Sequence, residues 1–189
     1  MTTLTAQTSP WSGIRLPTER CVYRADEDVD PATDRALRRL LSAAFCRPEH
    51  ARFRAQRYFY EPYPHRWLIH APDGRLAAHA GVHDRMLHAA GRAWACAGLA
   101  DVCVHPDYRG RGLMRWLFSE IHGWLRNRGV PFALLFGDPA IYHSSGYRPV
   151  RIHLEHPPAD LPQPLDALAA SLNGLAWPAE PPTLSGGLF

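Results

Sequence analysis

The stretch Val102-Cys103-Val104-His105-Pro106-Asp107-Tyr108-Arg109-Gly110-Arg111-Gly112-Leu113-Met114 constrains this chain more than any other. Its first residues read as the end of a strand, Pro106 breaks that strand, and two glycines precede an amphipathic run. Leu113, Met114, Leu117, Ile121, Trp124 and Leu125 recur at helical spacing, with Arg126 and Arg128 suited to the last turn and Gly129 to the C-cap. Strand, glycine turn and helix start, in that order, make an anion cradle. Glycine lets the backbone approach a phosphate closely, and a helix N-terminus offers unpaired N–H groups with a favourable dipole. Arg109 and Arg111 add cationic donors, so a pyrophosphate is the natural guest. The competing reading is a tight connection carrying two solvated arginines. The flanking strand and helix, and Tyr142 beyond them, favour the ligand site.

The rest of the chain supplies a frame for such a site. Arg20–Arg24 alternates as a short strand, and Asp30-Pro31 is an N-cap followed by proline at the first helical position. Leu37, Leu40, Leu41, Ala44 and Phe45 continue that helix until Pro48 ends it near Arg47, and a second helix is expected over Glu49–Tyr60. Arg66–His70, the turn Pro72-Asp73-Gly74, Leu76–Leu87, the turn Ala90-Gly91 and Ala93–Val104 predict three antiparallel strands. After the cradle helix come a buried strand at Phe132–Phe136, a brief helix around Pro139–Ser145 and a strand at Tyr147–Leu154. The Pro-rich segment 156–189 carries a short helix at Leu165–Leu172 and a closing strand. The expected class is α+β, a mixed and mostly antiparallel sheet flanked by helices.

Bulk properties narrow the function. The 189 residues, 46% of them apolar, suit a single domain over 20–189 after a loose leader at 1–19. A net charge of +3 suits an anionic ligand but lacks the dense basic stripe of a nucleic-acid binder. No apolar run is long enough for a membrane helix, and Met1–Arg20 lacks a hydrophobic signal region. Cys21, Cys46, Cys96 and Cys103 are widely spaced and read as reduced thiols of a cytoplasmic protein. His79 and His83, four apart on a strand, would lie roughly 13 Å from each other, too far to share an ion, so no metal is expected.

With Tyr142-His143-Ser144-Ser145-Gly146-Tyr147 added to the cradle, the chain resembles the GCN5-related N-acetyltransferase superfamily. Arg109 and Gly112 match fixed places of its acetyl-CoA motif, and Met114 stands where a small residue is commoner. The resemblance implies a bulged strand splayed from its neighbour, with Val102, Cys103 and Val104 pairing along the pantetheine arm. It also implies that the amides of Arg109, Gly110, Arg111, Gly112, Leu113 and Met114 hold the diphosphate. Tyr142 corresponds to the tyrosine that protonates the departing thiolate, although a half-buried anchoring role is the competing account. The asparagine that often precedes this element is replaced by Leu135. Within the superfamily the chain is most similar to aminoglycoside 2′-N-acetyltransferases and the nodulation acyltransferase NodA. That likeness rests on the less specific segments Arg20–Phe45 and Leu76–Leu87, the strand with Cys96, and the tail around Trp177-Pro178 and Gly187-Leu188-Phe189.

The expected reaction is acetyl transfer from acetyl-CoA to a primary amine of a small molecule, by direct attack and without metal. An aminosugar acceptor, a longer acyl chain, a protein amine and a non-catalytic acyl-CoA-binding module are the alternatives. Backbone N–H groups near Cys103 and Val104 are the expected oxyanion donors. Asp101 is the candidate base, weighed equally against a turn-stabilising carboxylate, with His83 and Asp84 behind it. Strand alternation sends Asp101, Cys103 and His105 to one face and Ala100, Val102 and Val104 to the other, unless a bulge shifts the parity. Candidate acceptor walls are Trp67, with Phe53, Tyr58, Tyr60, Tyr63 and Trp177. An aminoglycoside would need several carboxylates, which Asp26, Glu27, Asp28, Asp84, Asp101 and the C-terminus could supply. Family habit suggests a homodimer with the Pro-rich tail at the interface.

Overall fold

The computed structural model describes residues 20–189; the expected leader at 1–19 lies outside the described residues. Strand β1 (Arg20–Ala25) leads through a 3₁₀ turn to helix α1 (Pro31–Ala44), whose first turn is capped by the Asp30 carboxylate accepting from the Thr33 N–H at 2.7 Å. Then come a 3₁₀ helix (Pro48–Arg54) and the strands β2 (His65–His70), β3 (Leu76–Ala89) and β4 (Arg92–Val104). Helix α2 (Leu113–Asn127), β5 (Phe132–Leu135), α3 (Pro139–Tyr142), β6 (Arg148–Leu154), β7 (Leu165–Ser171) and β8 (Thr183–Leu184) complete the order.

The eight strands run β1-β2-β3-β4-β5-β7-β6-β8, antiparallel except where β5 lies parallel to β4 and β8 parallel to β6. Strand β8 also pairs with the far end of β3 at Leu87 and His88. The hydrogen-bonded circuit β3-β4-β5-β7-β6-β8 therefore closes on itself, and Leu87, Cys96, Phe132, Ile152, Leu184 and Phe189 fill its interior. Helix α2 packs Leu113, Leu117, Ile121 and Leu125 on one face of the sheet, and α1 with Phe53 covers the other through Leu37, Leu40 and Leu41. Among the described residues no helix is long and apolar enough to cross a membrane.

One expected helix is cut short and another is absent. Over Glu49–Tyr60 the helix gives way after Arg54, because the Phe59 N–H donates to the Asp101 carboxylate at 3.0 Å instead of to a carbonyl four residues back. The Arg52 guanidinium and the Gln56 amide satisfy the carbonyls of Phe59 and Tyr58, at 2.6 and 2.8 Å. The other is Leu165–Leu172, which forms β7 between β5 and β6. Its alanines are helix formers, but they are buried, Ala167 in the circuit interior and Ala170 beneath α2, and the ladder satisfies their backbone, so tertiary context overrides propensity.

Candidate active site

The cradle forms where the motif placed it. Gly110 and Gly112 both sit at φ +76°, the left-handed region that favours glycine. The first helical bond of α2 runs from the Trp116 N–H to the Gly112 carbonyl, which leaves the Leu113 and Met114 amides without an intrahelical acceptor. Arg109 and Arg111 are exposed beside them, with guanidinium bonds to the Val104 and Asp107 carbonyls at 3.4 and 3.3 Å. Val102, Cys103, Val104, Arg109, Gly110, Gly112, Leu113, Met114 and Tyr142 line one continuous cavity of about 530 Å³.

This cavity exists because β4 and β5 part. They pair only at Cys96–Gly98, opposite Phe132–Leu134, so β4 beyond Gly98 shows β5 an unpaired edge. The His105 N–H donates to the Ala77 carbonyl at 2.8 Å. Backbone alternation then turns the Val104 N–H and C=O away from β3 and toward the slot, where the Arg109 side chain meets the Val104 carbonyl. By the same alternation the Cys103 N–H faces β3, so of the two expected oxyanion donors only the Val104 amide is available to the slot.

A bulge decides what happens at Asp101. Gly81 pairs with Ala100 and His79 with Cys103, so Asp101 and Val102 together oppose the single residue Ala80. Asp101 takes φ +50°, unusual for a residue with a side chain. The parity expected from strict alternation breaks here: Ala100 and Cys103 point to the same side, and Asp101 turns its carboxylate toward the Phe59 amide. The buried His79 ring donates from Nδ1 to the Asp101 carbonyl at 3.0 Å and holds the bulge from behind. Burial raises the Asp101 carboxyl to a pKa of about 6, against a smaller opposing effect of the Phe59 hydrogen bond.

Asp101, Val102 and Tyr142 line a second cavity of about 210 Å³, together with Phe45, Phe59, Tyr60, Leu99, Ala100, Leu135, Phe136 and Phe189. The two cavities share Phe45, Val102 and Tyr142. Tyr142 is 9% exposed, boxed by Phe118 and Tyr147, and burial raises its phenol above the ordinary value. It therefore stays protonated at neutral pH, as a proton donor must.

The other sequence candidates do not converge here. Trp67 packs against Trp124 at 5.0 Å beneath α2, on the opposite face of the sheet, so it is not an acceptor wall. Asp84 lies on that same face, bonded to His65 at 3.0 Å and paired with Arg128 at 3.6 Å. His83 is buried behind Phe189, whose ring separates it from the cleft, and burial lowers its pKa to about 4. Asp26 is taken by Arg57 and the buried Arg66. Phe53 and Trp177 are core residues, and Tyr63 is buried against Gly81; Tyr60 alone of the proposed walls reaches the cleft. Phe45, Phe59, Phe136 and Phe189 were not expected there, since nothing in their local pattern separates a cleft aromatic from a core one. Among the described residues no group of three His, Cys, Asp or Glu side chains stands at metal-ligand spacing.

Comparison with known proteins agrees with this geometry. An N-acetyltransferase of uncharacterised role, ycf52-like, from Prochlorococcus marinus is 37% identical over 54 residues, which cover 27% of this chain and 30% of that protein's length. A GNAT family N-acetyltransferase from Escherichia coli, YhbS, solved in complex with CoA, superposes with a TM-score of 0.59 at 18% identity, covering 89% of this chain and 91% of its own. A GNAT family acetyltransferase from Brucella melitensis in complex with acetyl-CoA gives 0.55 at 19% identity, covering 86% and 94%. At those identities the likeness is one of fold. Residues 29–150, well over half of the 189, match the acetyltransferase (GNAT) domain, and the chain belongs to the GNAT acetyltransferase family.

Proposed function

We propose that the chain transfers an acetyl group from acetyl-CoA to a primary amine of a small molecule by direct attack. The observation that carries this reading is the junction of the two cavities at Phe45, Val102 and Tyr142. A diphosphate held by the Gly110–Met114 backbone leaves the pantetheine arm to run along the open edge of β4. Its thioester then meets the second cavity between Asp101 and Tyr142. The CoA and acetyl-CoA bound in the two similar structures support acetyl-CoA as the donor.

In this reading Asp101 takes a proton from the acceptor's ammonium, and the freed nitrogen attacks the thioester carbonyl. In the same reading the Val104 amide donates to the oxyanion. As the C–S bond breaks, Tyr142 gives its proton to the thiolate and its phenolate recovers one from the nitrogen, which keeps a single hydrogen; an amide and free CoA leave, and Asp101 releases its proton to solvent. The aminosugar acceptor implied by the resemblance is one member of the class of small primary amines. Calorimetry with acetyl-CoA, followed by a thiol-release assay across primary amines, tests the reading. Failure to bind acetyl-CoA overturns it, and binding without turnover on any amine would leave the non-catalytic module in its place.

A further inference from the structure

We propose, on the footing of the acetyl-transfer reading, that His79 is a positioning residue for the proton transfer. As a neutral imidazole with its hydrogen on Nδ1, it pins the β4 bulge and so fixes where the Asp101 carboxylate stands. The bulge creates the need for such a group. Asp101 and Val102 together oppose Ala80, and a bulge leaves its extra residue out of the ladder. The Asp101 carbonyl must then find a partner elsewhere, and the His79 ring supplies it at 3.0 Å. Without that donor the carbonyl would have to turn to water, because a buried acceptor left unpaired is costly. The open space beside it is the cavity that Asp101 and Val102 line, so the peptide would rotate that way. The Asp101 side chain, held at φ +50° with its carboxylate on the Phe59 amide, would go with it.

The tautomer follows from the partners. A carbonyl only accepts, so Nδ1 carries the hydrogen and Nε2 is left as an acceptor. The Tyr63 hydroxyl stands 3.2 Å from Nε2 and 2.8 Å from the Arg57 carbonyl, and it also faces the Asp101 carboxylate. Gly81 seats that tyrosine: a Cβ there would stand 2.5 Å from Cε2 of the Tyr63 ring. Tyr63 and His79 are both buried, so this arrangement is closed to water.

Charge matters as much as geometry. The titratable neighbours of the ring are Tyr63, Asp101, Cys103 and the buried Arg66, whose guanidinium lies over the Tyr63 ring at 4.8 Å. Burial, and after it the Arg66 cation, hold His79 at a pKa of about 3, so the ring stays neutral wherever Asp101 titrates. A lysine or arginine in its place would draw the Asp101 carboxyl down and weaken it as a base. A neutral donor anchors the bulge and leaves the carboxylate its affinity for a proton.

The test reads the Asp101 carboxyl directly, by carbon NMR of protein labelled at the aspartate side-chain carboxyls. The resonance missing from Asp101→Asn identifies it. In the parent it should titrate with a midpoint of about 6. In His79→Leu the donor is gone, and the midpoint should fall by about one unit or more toward the ordinary 3.8. His79→Asn sets an amide N–H near the place of Nδ1 and should bring the midpoint back close to the parent's. Packing alone does not predict that rescue, because asparagine fills the space less well than leucine. Nitrogen NMR of the parent gives a second readout that stands even if neither variant folds. It should show His79 neutral and protonated on Nδ1 down to about pH 5. An unmoved midpoint in His79→Leu, equal displacement in both variants, or hydrogen on Nε2 in the parent would overturn the assignment. Calorimetry of the parent with acetyl-CoA stands apart: if no binding is seen, the acetyl-transfer reading falls, while the titration still decides whether His79 sets the Asp101 carboxyl.

Discussion

A Cβ built on Gly137 would stand 2.5 Å from Cε2 of Tyr142, so the tyrosine ring rests against a backbone position that only glycine can occupy without something moving. Gly137 follows β5, and Asp138 then caps α3 by accepting from the Ala140 N–H at 2.9 Å, which carries Tyr142 back over the glycine. Phe118 and Tyr147 close the other sides. Tyr142→Phe should keep that packing and lower turnover by about 10²-fold, with acetyl-CoA affinity unchanged. Gly137→Ala keeps the hydroxyl but displaces the ring, and should reproduce much of the loss. Steady-state kinetics with calorimetry checks both; full turnover in Tyr142→Phe would remove the proton-donor role.

Asp101 carries a conflict between activity and stability. Its folded pKa of about 6 lies above the ordinary 3.8, so folding favours the protonated form. The stability this carboxyl contributes is therefore complete below about pH 3.8 and is lost as the pH rises through 6. Asp101→Asn should thus stabilise the protein at pH 8 by about 3 kcal/mol at most, the gain fading by pH 4. Asparagine tolerates the left-handed φ, and its carbonyl can still accept from the Phe59 N–H. Turnover should fall by about 10²- to 10⁴-fold. Urea melts at the two pH values and a rate assay at pH 8 check the pair of effects.

The glycine turn and the helix start after it were legible because their signals are local. Gly110, Gly112 and the amphipathic run from Leu113 fix backbone torsions and a helix start within a few residues, and no distant contact is needed to read them. Tyr142-x-x-x-Gly146 is local for the same reason, its Gly146 sitting at φ +91°. The second cavity is assembled from Phe45, Tyr60, Phe136 and Phe189, which are far apart in sequence and look like core residues one by one. Trp67 and Asp84 misled because period-two alternation gives a strand two faces without saying which one a helix will cover. The β7 segment misled because Ala and Leu favour helix locally, while the ladder between β5 and β6 acts only in the folded chain.

Gly112 stands at φ +76° with nothing within 4 Å of where a Cβ would lie, so torsional strain, not a clash, resists substitution there. Gly112→Ala should cost about 1–2 kcal/mol of stability and weaken acetyl-CoA binding modestly. Gly112→Glu adds a carboxylate at the start of α2, where the reading puts a diphosphate, and like-charge repulsion should abolish binding. Calorimetry on the two variants, with circular dichroism confirming the fold, separates strain from charge. Equal binding by Gly112→Glu and the parent would move the diphosphate elsewhere.

Acid should unfold the protein earlier than its surface charge suggests. Burial lowers His79 to about 3 and both His83 and His122 to about 4, each from 6.5, so the folded state keeps all three neutral near pH 5 while the unfolded chain protonates them. Depressed histidines contribute stability that is present above pH 6.5 and is lost as the pH falls toward their folded values. Asp101 opposes this, because near pH 5 it is protonated in the folded state and ionised in the unfolded one. Three protons taken up on unfolding less one released leave about two, so stability should fall by about 2–3 kcal/mol per pH unit around pH 5. Urea titrations between pH 4.5 and 7.5 measure the slope directly. In Asp101→Asn the opposing proton is gone, and the slope should steepen to about three protons; a slope unchanged by that substitution would mean that Asp101 is ionised in the folded protein throughout this range.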